Sequence, residues 1–361
     1  MNNKIRKSLA AISLIGLSSA AFSGVVFHTL PGETSTGLAG ILSSPEVAND
    51  GTVLYFQSND SKWKTWNADP GFSPAVLNIT TSHVHFNHQS NDGKYMAGKD
   101  STAGSSTYNY YTPTGVIQRG QTGFAGRVIH KMSGNGKRLF GLNSVNTAPG
   151  SYLYFFENGG RNEQSRPTAN DYIAALPFGS GISLASSVAS DETGDRILLK
   201  HSATTYFVDI TGSTNTRNAN LTALPINFFS IVAISDDGES VLGTVSNLSP
   251  GCSKSNVVYH QTNGLTEINC SDEFNLVGFS GDGAKVVGYD DTTSYIWDET
   301  SGVRDLKNIL SQNGVNTGNW PTLRASDISE DGLKITGWAI NTSGKGKAFL
   351  MEVVPECNVG F

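Results

Sequence analysis

Residues 280–288 read SGDGAKVVG, and similar stretches recur along the chain. Clear copies are SNDGKYMAG (90–98), SGNGKRLFG (133–141), SDDGESVLG (235–243) and SEDGLKITG (329–337). Two weaker copies complete a set of seven: ANDGTVLYF (48–56) and SDETGDRILL (190–199), the latter with one extra residue before its glycine. Glycine tolerates positive φ and Asp or Asn can bond its own backbone, so each copy predicts a tight turn between two strands.

The spacing of these turns indicates the architecture. The motif glycines are 42, 43, 58, 44, 45 and 49 residues apart, at Gly51, Gly93, Gly136, Gly194, Gly238, Gly283 and Gly332. A period of about 40–50 residues is typical of propeller blades or of helical arrays. The runs between the turns are short, β-branched and aromatic, without a 3.6-residue period, which excludes helical arrays.

Each unit divides into four strands. The first leads into the motif, the second is its apolar run, the third is aromatic and the fourth follows the next turn, as in FFSIVAI (228–234), AKVVG (284–288), SYIWDETSG (294–302) and VRDLKNIL (303–310). The sequence therefore predicts an all-β fold, a seven-bladed β-propeller of four-stranded antiparallel blades. The last unit stops after its third strand, whereas GVVFHTLPG (24–32) is a strand without a motif. We expect this N-terminal strand to close the ring by pairing with the C-terminal blade.

The N-terminus is typical of a secretory signal peptide. A positive segment (1–7) precedes a mainly apolar segment of ten residues (8–17) and the residues SSAAFS (18–23), most of them small. We predict a signal peptide over 1–23, cleaved after Ala20 or Ser23, and a single propeller domain over 24–361. The protein would then be secreted or periplasmic. No apolar run is long enough for a transmembrane segment, and we expect a monomer.

The net charge and the cysteines bear on possible partners and on disulfide bonding. The formal net charge is −6, which argues against a nucleic-acid partner because such proteins usually carry a basic patch. Cys252 and Cys270 lie at the two ends of a predicted hairpin that turns at 262–264, so an exported chain could join them by a disulfide. Cys357 would remain unpaired; alternatively, all three cysteines are reduced.

The repeats resemble the bacterial extracellular repeat, HAF family. The best match is DISEDGLKITGWAINTSGKGKAFLM (327–351), where Ala348-Phe349 stands at the Ala-Phe of the family pattern. HTLPG (28–32) is similar to the Leu-Gly-x-Leu-Pro-Gly segment, with His28 in place of the glycine. The resemblance implies an exported, propeller-like protein and implies no activity, because the family is defined by its repeats.

Function is expected where the copies differ. We compare the residue two positions before the motif serine, or before its equivalent, in all seven units. In units one to seven it is Glu46, His88, Lys131, Val188, Ala233, Gly278 and Asp327. It is polar in units seven, one, two and three, and apolar or glycine in units four, five and six. Five positions before the serine, His85 and Arg324 repeat the polar bias. We therefore predict a ligand site at Glu46, His85, His88, Lys131, Arg324 and Asp327; the alternative is that these side chains meet solvent or one another.

No catalytic residues, metal or cofactor are predicted. His83, His85 and His130 could stand near one channel, yet their spacing matches no zinc motif, so hydrogen-bonded histidines are the preferred interpretation. There is no Gly-x-Ser-x-Gly elbow. We expect a non-enzymatic propeller that binds a ligand or a protein or glycan partner through one face of the ring. The alternatives are a polysaccharide-cleaving propeller enzyme, a glycosidase or lyase, and an envelope scaffold.

Overall fold

The structure is a computed structural model that describes residues 22–32, 44–57, 62–69, 84–100, 107–111, 117–121, 127–143, 152–157, 188–201, 203–211, 218–246, 248–251, 253–271 and 274–355. Their strands pair in antiparallel sheets. Strand β1 (Phe22–Thr29) precedes the first motif. The first three units contain β2 (Glu46–Val47), β3 (Val53–Gln57) and β4 (Lys62–Trp66); β5 (Val84–Gln89), β6 (Met96–Asp100), β7 (Thr107–Tyr111) and β8 (Ile117–Gln121); and β9 (Arg127–Met132), β10 (Arg138–Asn143) and β11 (Tyr152–Glu157).

The later units follow the same order. They contain β12 (Val188–Ser190), β13 (Arg196–His201), β14 (Thr204–Thr211) and β15 (Asn218–Ala223); β16 (Phe228–Ile234), β17 (Ser240–Ser246), β18 (Lys254–His260) and β19 (Gly264–Asn269); β20 (Asn275–Phe279), β21 (Lys285–Tyr289), β22 (Ser294–Asp298) and β23 (Gly302–Asp305), followed by helix α1 (Leu306–Gln312); and β24 (Thr322–Ile328), β25 (Lys334–Ile340) and β26 (Gly346–Pro355). Strand β1 pairs antiparallel with β26, with Phe27 opposite Met351.

The strand predictions need two qualifications. Within the described residues the first and third units form three-stranded sheets, and residues 70–83 and 158–187, which come after these third strands, lie outside the description. The predicted strand over 303–310 is wrong beyond Asp305, where α1 begins. The Asp305 side chain accepts hydrogen bonds from the backbone N–H groups of Lys307 and Asn308, which caps the helix. The i, i+3, i+4 spacing of buried Leu306, Ile309 and Leu310 then favours helix over strand.

The turn of SGDGAKVVG is closed by its own side chains. Ser280 Oγ accepts from the N–H of Lys285 at 2.9 Å and donates to Asp282 Oδ1 at 2.6 Å. Asp282 Oδ1 also accepts from the N–H of Ala284 at 2.9 Å. Gly283 has φ of +69° and donates its N–H to the Ser280 carbonyl. The predicted turn is therefore confirmed, and its serine and aspartate are structural.

The turn of the fourth unit corrects the alignment of the weak copy. Asp191, and not Ser190, occupies the serine position, because its carboxylate accepts from the N–H of Arg196 at 3.2 Å and from that of Gly194 at 2.6 Å. The unit therefore contains no extra residue before its glycine. Two positions before Asp191 lies Ala189, so Ala189 replaces Val188 in the row compared above.

A bulge in the first strand explains the second glycine of the motif. Pairing of β24 with β25 shifts register between Ala325 and Asp327, and the same shift recurs in units two, three, five and six. A Cβ added at Gly337 would lie 2.0 Å from the carbonyl oxygen of Arg324 on the bulged strand. Only glycine leaves room for that backbone, which is a common reason for glycine beside a bulge.

Neighbouring sheets contact one another through their first strands. Contacts join β24 to β2, β2 to β5, β5 to β9, β9 to β12, β12 to β16, β16 to β20 and β20 to β24. The turns are joined as well: the N–H of Asn49 donates to Asn91 O at 2.8 Å, and that of Gly281 donates to Glu330 O at 2.8 Å. Between the first and last units, buried Val53 packs in one cluster with Trp338 and Leu350.

Several expectations fall outside the described residues. Cys270 is disulfide-bonded, but Cys252 and Cys357 are not described, so the pairing with Cys252 stays a prediction. The signal peptide up to residue 21 is likewise not described, and β1 begins between the two predicted cleavage points. Among the described residues, no helix has the length and apolarity needed to cross a membrane.

Replacing Gly337 by alanine should destabilise the protein by about 2 kcal/mol, because a Cβ would collide with backbone that cannot move aside. Thermal or urea unfolding of Gly337→Ala against the parent measures the loss. Gly318→Ala is the matched control, since its added Cβ would meet only the side chain of Asn316. Equal stability of the two variants would contradict the role assigned to the bulge.

Candidate functional site

A central cavity of about 150 Å³ lies where the seven first strands meet. Every first strand contributes at least one lining residue. The row compared in the sequence supplies most of them: Glu46, His88, Lys131, Ala189, Ala233, Gly278 and Asp327. The cavity therefore has a polar half, from units seven, one, two and three, and an apolar half from units four, five and six.

The bulges direct these side chains inward. His88, Lys131 and Asp327 each come directly after the extra residue of a bulge, which changes the alternation of the strand. Glu46 comes from the two-residue strand β2, which pairs without a shift. The same bulge thus precedes three of the four polar side chains on the cavity wall.

Backbone donors hold the two carboxylates of the polar half. Asp327 Oδ2 accepts from the N–H of Val47 at 2.9 Å and so reaches from the seventh unit to the first. The Glu46 carboxylate accepts from the N–H of Gln89 and so reaches from the first unit to the second. Both side chains are partly buried, and both line the cavity.

Burial raises the pKa of both carboxyl groups, because it disfavours their charged form. It raises the pKa of Glu46 to about 8, helped by the negative charge of Asp327 and opposed by the positive charge of Lys131. Burial also raises the pKa of Asp327 to about 6, where the Val47 N–H and the Lys131 charge act in the opposite direction. The two carboxyl groups of the polar half therefore keep their protons to a higher pH than ordinary carboxyl groups do.

The other predicted site residues are placed differently. His88 lines the cavity, but the side chain of His85 lies outside the description, as do those of His83 and His130. Arg324 is absent from the cavity wall, and its guanidinium lies over the Tyr289 ring at 5.0 Å from the centroid. The structure thus brings together Glu46, His88, Lys131 and Asp327 and leaves Arg324 apart.

Three carboxylates gather at the turn end of the cavity. Glu192, Asp236 and Glu330 each have an oxygen within 4.8 Å of the others; we call them the carboxylate cluster. Asn91 Nδ2 donates to Glu192 at 2.5 Å, and Asn49 Nδ2 donates to Glu330 at 2.5 Å. Burial and a hydrogen bond with Glu330 raise the pKa of Asp236 to about 8. Burial and the charge of Glu330 raise that of Glu192 to about 7.

Two motif glycines make room for the carboxylate cluster. A Cβ at Gly281 would lie 1.9 Å from Asp236 Oδ2, and one at Gly134 would lie 1.9 Å from Glu192 Oε2. Carboxylate oxygens are the ligands that Ca²⁺ and Mg²⁺ prefer. Within the described residues, however, amide donors and a shared proton already account for these three groups, so we assign no metal to them.

Sequence reasoning missed the carboxylate cluster and Gln89. All three members of the cluster occupy the second position of the motif, once Asp191 is aligned with the serines. A comparison of the seven copies at this second position finds an acidic residue in three units and would have predicted the cluster. Gln89 lines the cavity, and its side-chain amide atoms are buried without a hydrogen-bond partner among the described residues. No repeat pattern marks it.

Comparison with solved structures identifies the fold. The Cps50 (Swd1) β-propeller domain of Myceliophteria thermophila is similar over 91% of this chain and 98% of its own, with a TM-score of 0.51 and 10% identity. The chain has a β-propeller fold. The β-propeller domain of the Trilobed protease from Pyrococcus furiosus, described as having an open velcro topology, gives a TM-score of 0.48 at 11% identity over 76% of this chain and 84% of its own.

Hydrazine synthase of Kuenenia stuttgartiensis gives a TM-score of 0.49 at 13% identity, over 91% of this propeller and 100% of the matched chain. No protein-family model matches the sequence, and no curated protein is significantly similar to it. The resemblance to HAF repeats therefore stays a prediction.

The raised pKa values of the carboxylate cluster predict a pH-dependent stability. A carboxyl group with a raised folded pKa stabilises the protein below its ordinary pKa of about 4, and that contribution is lost as the pH rises through the folded value, about 7 for Glu192 and about 8 for Asp236. Asp236→Asn removes one of these groups. The melting temperature of Asp236→Asn relative to the parent should therefore rise by about 2 °C between pH 5 and pH 8.

Thermal melts across this pH range measure the difference between the two proteins. Asp291→Asn, which changes an exposed carboxylate outside the cluster, should shift the melting temperature equally at every pH. A constant difference between Asp236→Asn and the parent would show that Asp236 ionises normally.

Proposed function

We propose that the protein is an exported, non-enzymatic, seven-bladed β-propeller that binds a small polar ligand in the central cavity, reached from the face of the ring that carries the motif turns. The fold supports this proposal through seven sheets, through the contacts of each first strand with the next from β24 round to β20, and through the pairing of β1 with β26. These features are those expected of a ring closed between its termini.

The observation that carries the binding proposal is the uneven wall of the central cavity. Glu46, His88, Lys131 and Asp327 line one side, and alanine and glycine of the row line the other. Burying two carboxyl groups and an ammonium group costs folding free energy, which a purely structural channel could avoid with apolar side chains. Such groups are retained where a bound molecule makes use of them.

The size of the cavity suits a small ligand. A volume of about 150 Å³ is enough for a small organic molecule. A protein or glycan partner that rests on the turn face remains an outcome of the binding test.

Export is tested on the full chain expressed in a bacterial host. We expect the protein in the periplasm or the medium, with an intact mass that lacks residues 1–20 or 1–23. Leu14→Lys, which interrupts the apolar core of the predicted signal peptide, should retain the chain in the cytoplasm. An uncut parent found only in the cytoplasm would contradict export.

Ligand binding is tested by a thermal-shift screen of amino acids, amines, carboxylates and sugars, together with a glycan array. A ligand of the central cavity should stabilise the parent and lose at least about tenfold in affinity with Asp327→Asn or Lys131→Met, because each variant removes a charge-assisted contact. Asp291→Asn and Lys345→Met remove exposed charges outside the cavity wall and should bind as the parent does.

Three results would change the proposal. A ligand whose affinity is the same in all four variants would lie elsewhere on the protein. Release of reducing ends from a polysaccharide would favour the propeller enzyme. Failure of every ligand, with an envelope protein that copurifies, would favour the scaffold.

A further inference from the structure

We propose that the ligand of the central cavity is a small zwitterion of the α-amino-acid type, with its ammonium group beside Glu46 and Asp327 and its carboxylate beside Lys131. This inference rests on the proposed function, since it names the class of molecule that the cavity would bind.

The first argument is the gap between opposite charges. Lys131 acts on Glu46 and on Asp327 through space. Among the described residues, however, no ion pair joins its ammonium group to either carboxylate. Buried charges in proteins are normally paired directly or matched by a ligand. The polar half of the cavity therefore holds an anion and a cation that face a common space without touching.

The second argument is the charge balance of that space. Lys131 brings a positive charge to that space and Asp327 an acidic group, while burial favours a proton on Glu46, which can then both donate and accept a hydrogen bond. A bare metal cation would be repelled by Lys131, and a simple anion would be repelled by Asp327. A zwitterion presents one charge to each and brings no net charge into the cavity.

The third argument is an unused amide. The side-chain nitrogen and oxygen of Gln89 are buried on the cavity wall and have no partner among the described residues. Leaving such an amide unpaired costs free energy. The ammonium group of a zwitterion can donate to the Gln89 oxygen, and its carboxylate can accept from the Gln89 nitrogen.

The polar half is also preorganised. Backbone N–H groups already hold the carboxylates of Glu46 and Asp327 in place before a ligand binds.

The apolar half of the cavity determines which side chain the ligand can carry beside its two charged groups. Apolar residues and glycine face the polar half: Ala189, Val232, Ala233, Val277 and Gly278. A short aliphatic side chain on the ligand would contact this wall and displace water from it. A cavity of about 150 Å³ has room for a small amino acid such as glycine, alanine or valine.

The test compares four probes on the full-length protein by calorimetric titration and thermal shift. The probes are L-alanine, propionate, isopropylamine and calcium chloride. Propionate lacks the ammonium group, and isopropylamine lacks the carboxylate. We expect L-alanine to bind and to raise the melting temperature, and each single-charge analogue to bind at least about tenfold more weakly.

Two variants assign each charge to its partner. Lys131→Met should abolish the preference for alanine over isopropylamine, and Asp327→Asn should abolish the preference for alanine over propionate. Lys345→Met should keep both preferences. The comparison of probes on the parent protein needs no variant, so it remains decisive if a variant fails to fold.

Some outcomes overturn the inference and leave the proposed function intact. If propionate, isopropylamine or calcium binds as tightly as alanine, the ligand is not a zwitterion. The same holds if none of the four probes binds but another ligand is lost with Asp327→Asn and Lys131→Met. If no ligand of any kind depends on these two residues, both proposals fail.

Discussion

The close approach of a bulged first strand to a glycine in the second strand is the constraint on which the rest of this propeller depends. The Arg324 carbonyl occupies the space where Gly337 would carry a side chain. This crowding is stable only without a Cβ, and the bulge between Ala325 and Asp327 places Asp327 on the cavity wall. In the five units that contain the bulge, one glycine of the second strand thus permits the backbone shift that places one variable side chain at the cavity wall. The conserved part of each copy builds the wall, and the variable position gives that wall its chemistry.

The motif turns fix the units relative to one another. Backbone hydrogen bonds run from turn to turn, as from Asn49 to Asn91 and from Asn91 to Gly134. Side chains strengthen the links: Arg196 donates to the Gly238 carbonyl at 3.2 Å, and Lys285 donates to that of Gly332 at 2.9 Å. Residues of different units are thereby held at fixed positions around the cavity. Such rigidity is what a preorganised polar site requires.

The sequence predicts most of the fold because its signals are local and repeated. Asp-Gly turns and short apolar runs indicate hairpins without reference to the remainder of the chain. The helix after Asp305 was missed because a single unit departs from the pattern, and the alignment at Asp191 was shifted because a carboxylate replaces a hydroxyl. The cavity residues could be predicted as a row, since equivalent positions of the first strands line the same cavity. Arg324 could not be placed, because stacking on Tyr289 depends on side-chain packing that no period reveals.

Pairing of β1 with β26 gives the chain a particular order of assembly. The partners Phe27 and Met351 lie almost at opposite ends of the described chain. During synthesis from the N-terminus, β1 therefore emerges long before β26. Its edge, with exposed Val26, has no partner until the final hairpin appears. Until β26 has been made, the incomplete protein exposes an unpaired strand edge that can associate with other chains. Pairing of β1 with β26 therefore completes the sheet and also protects the protein from self-association.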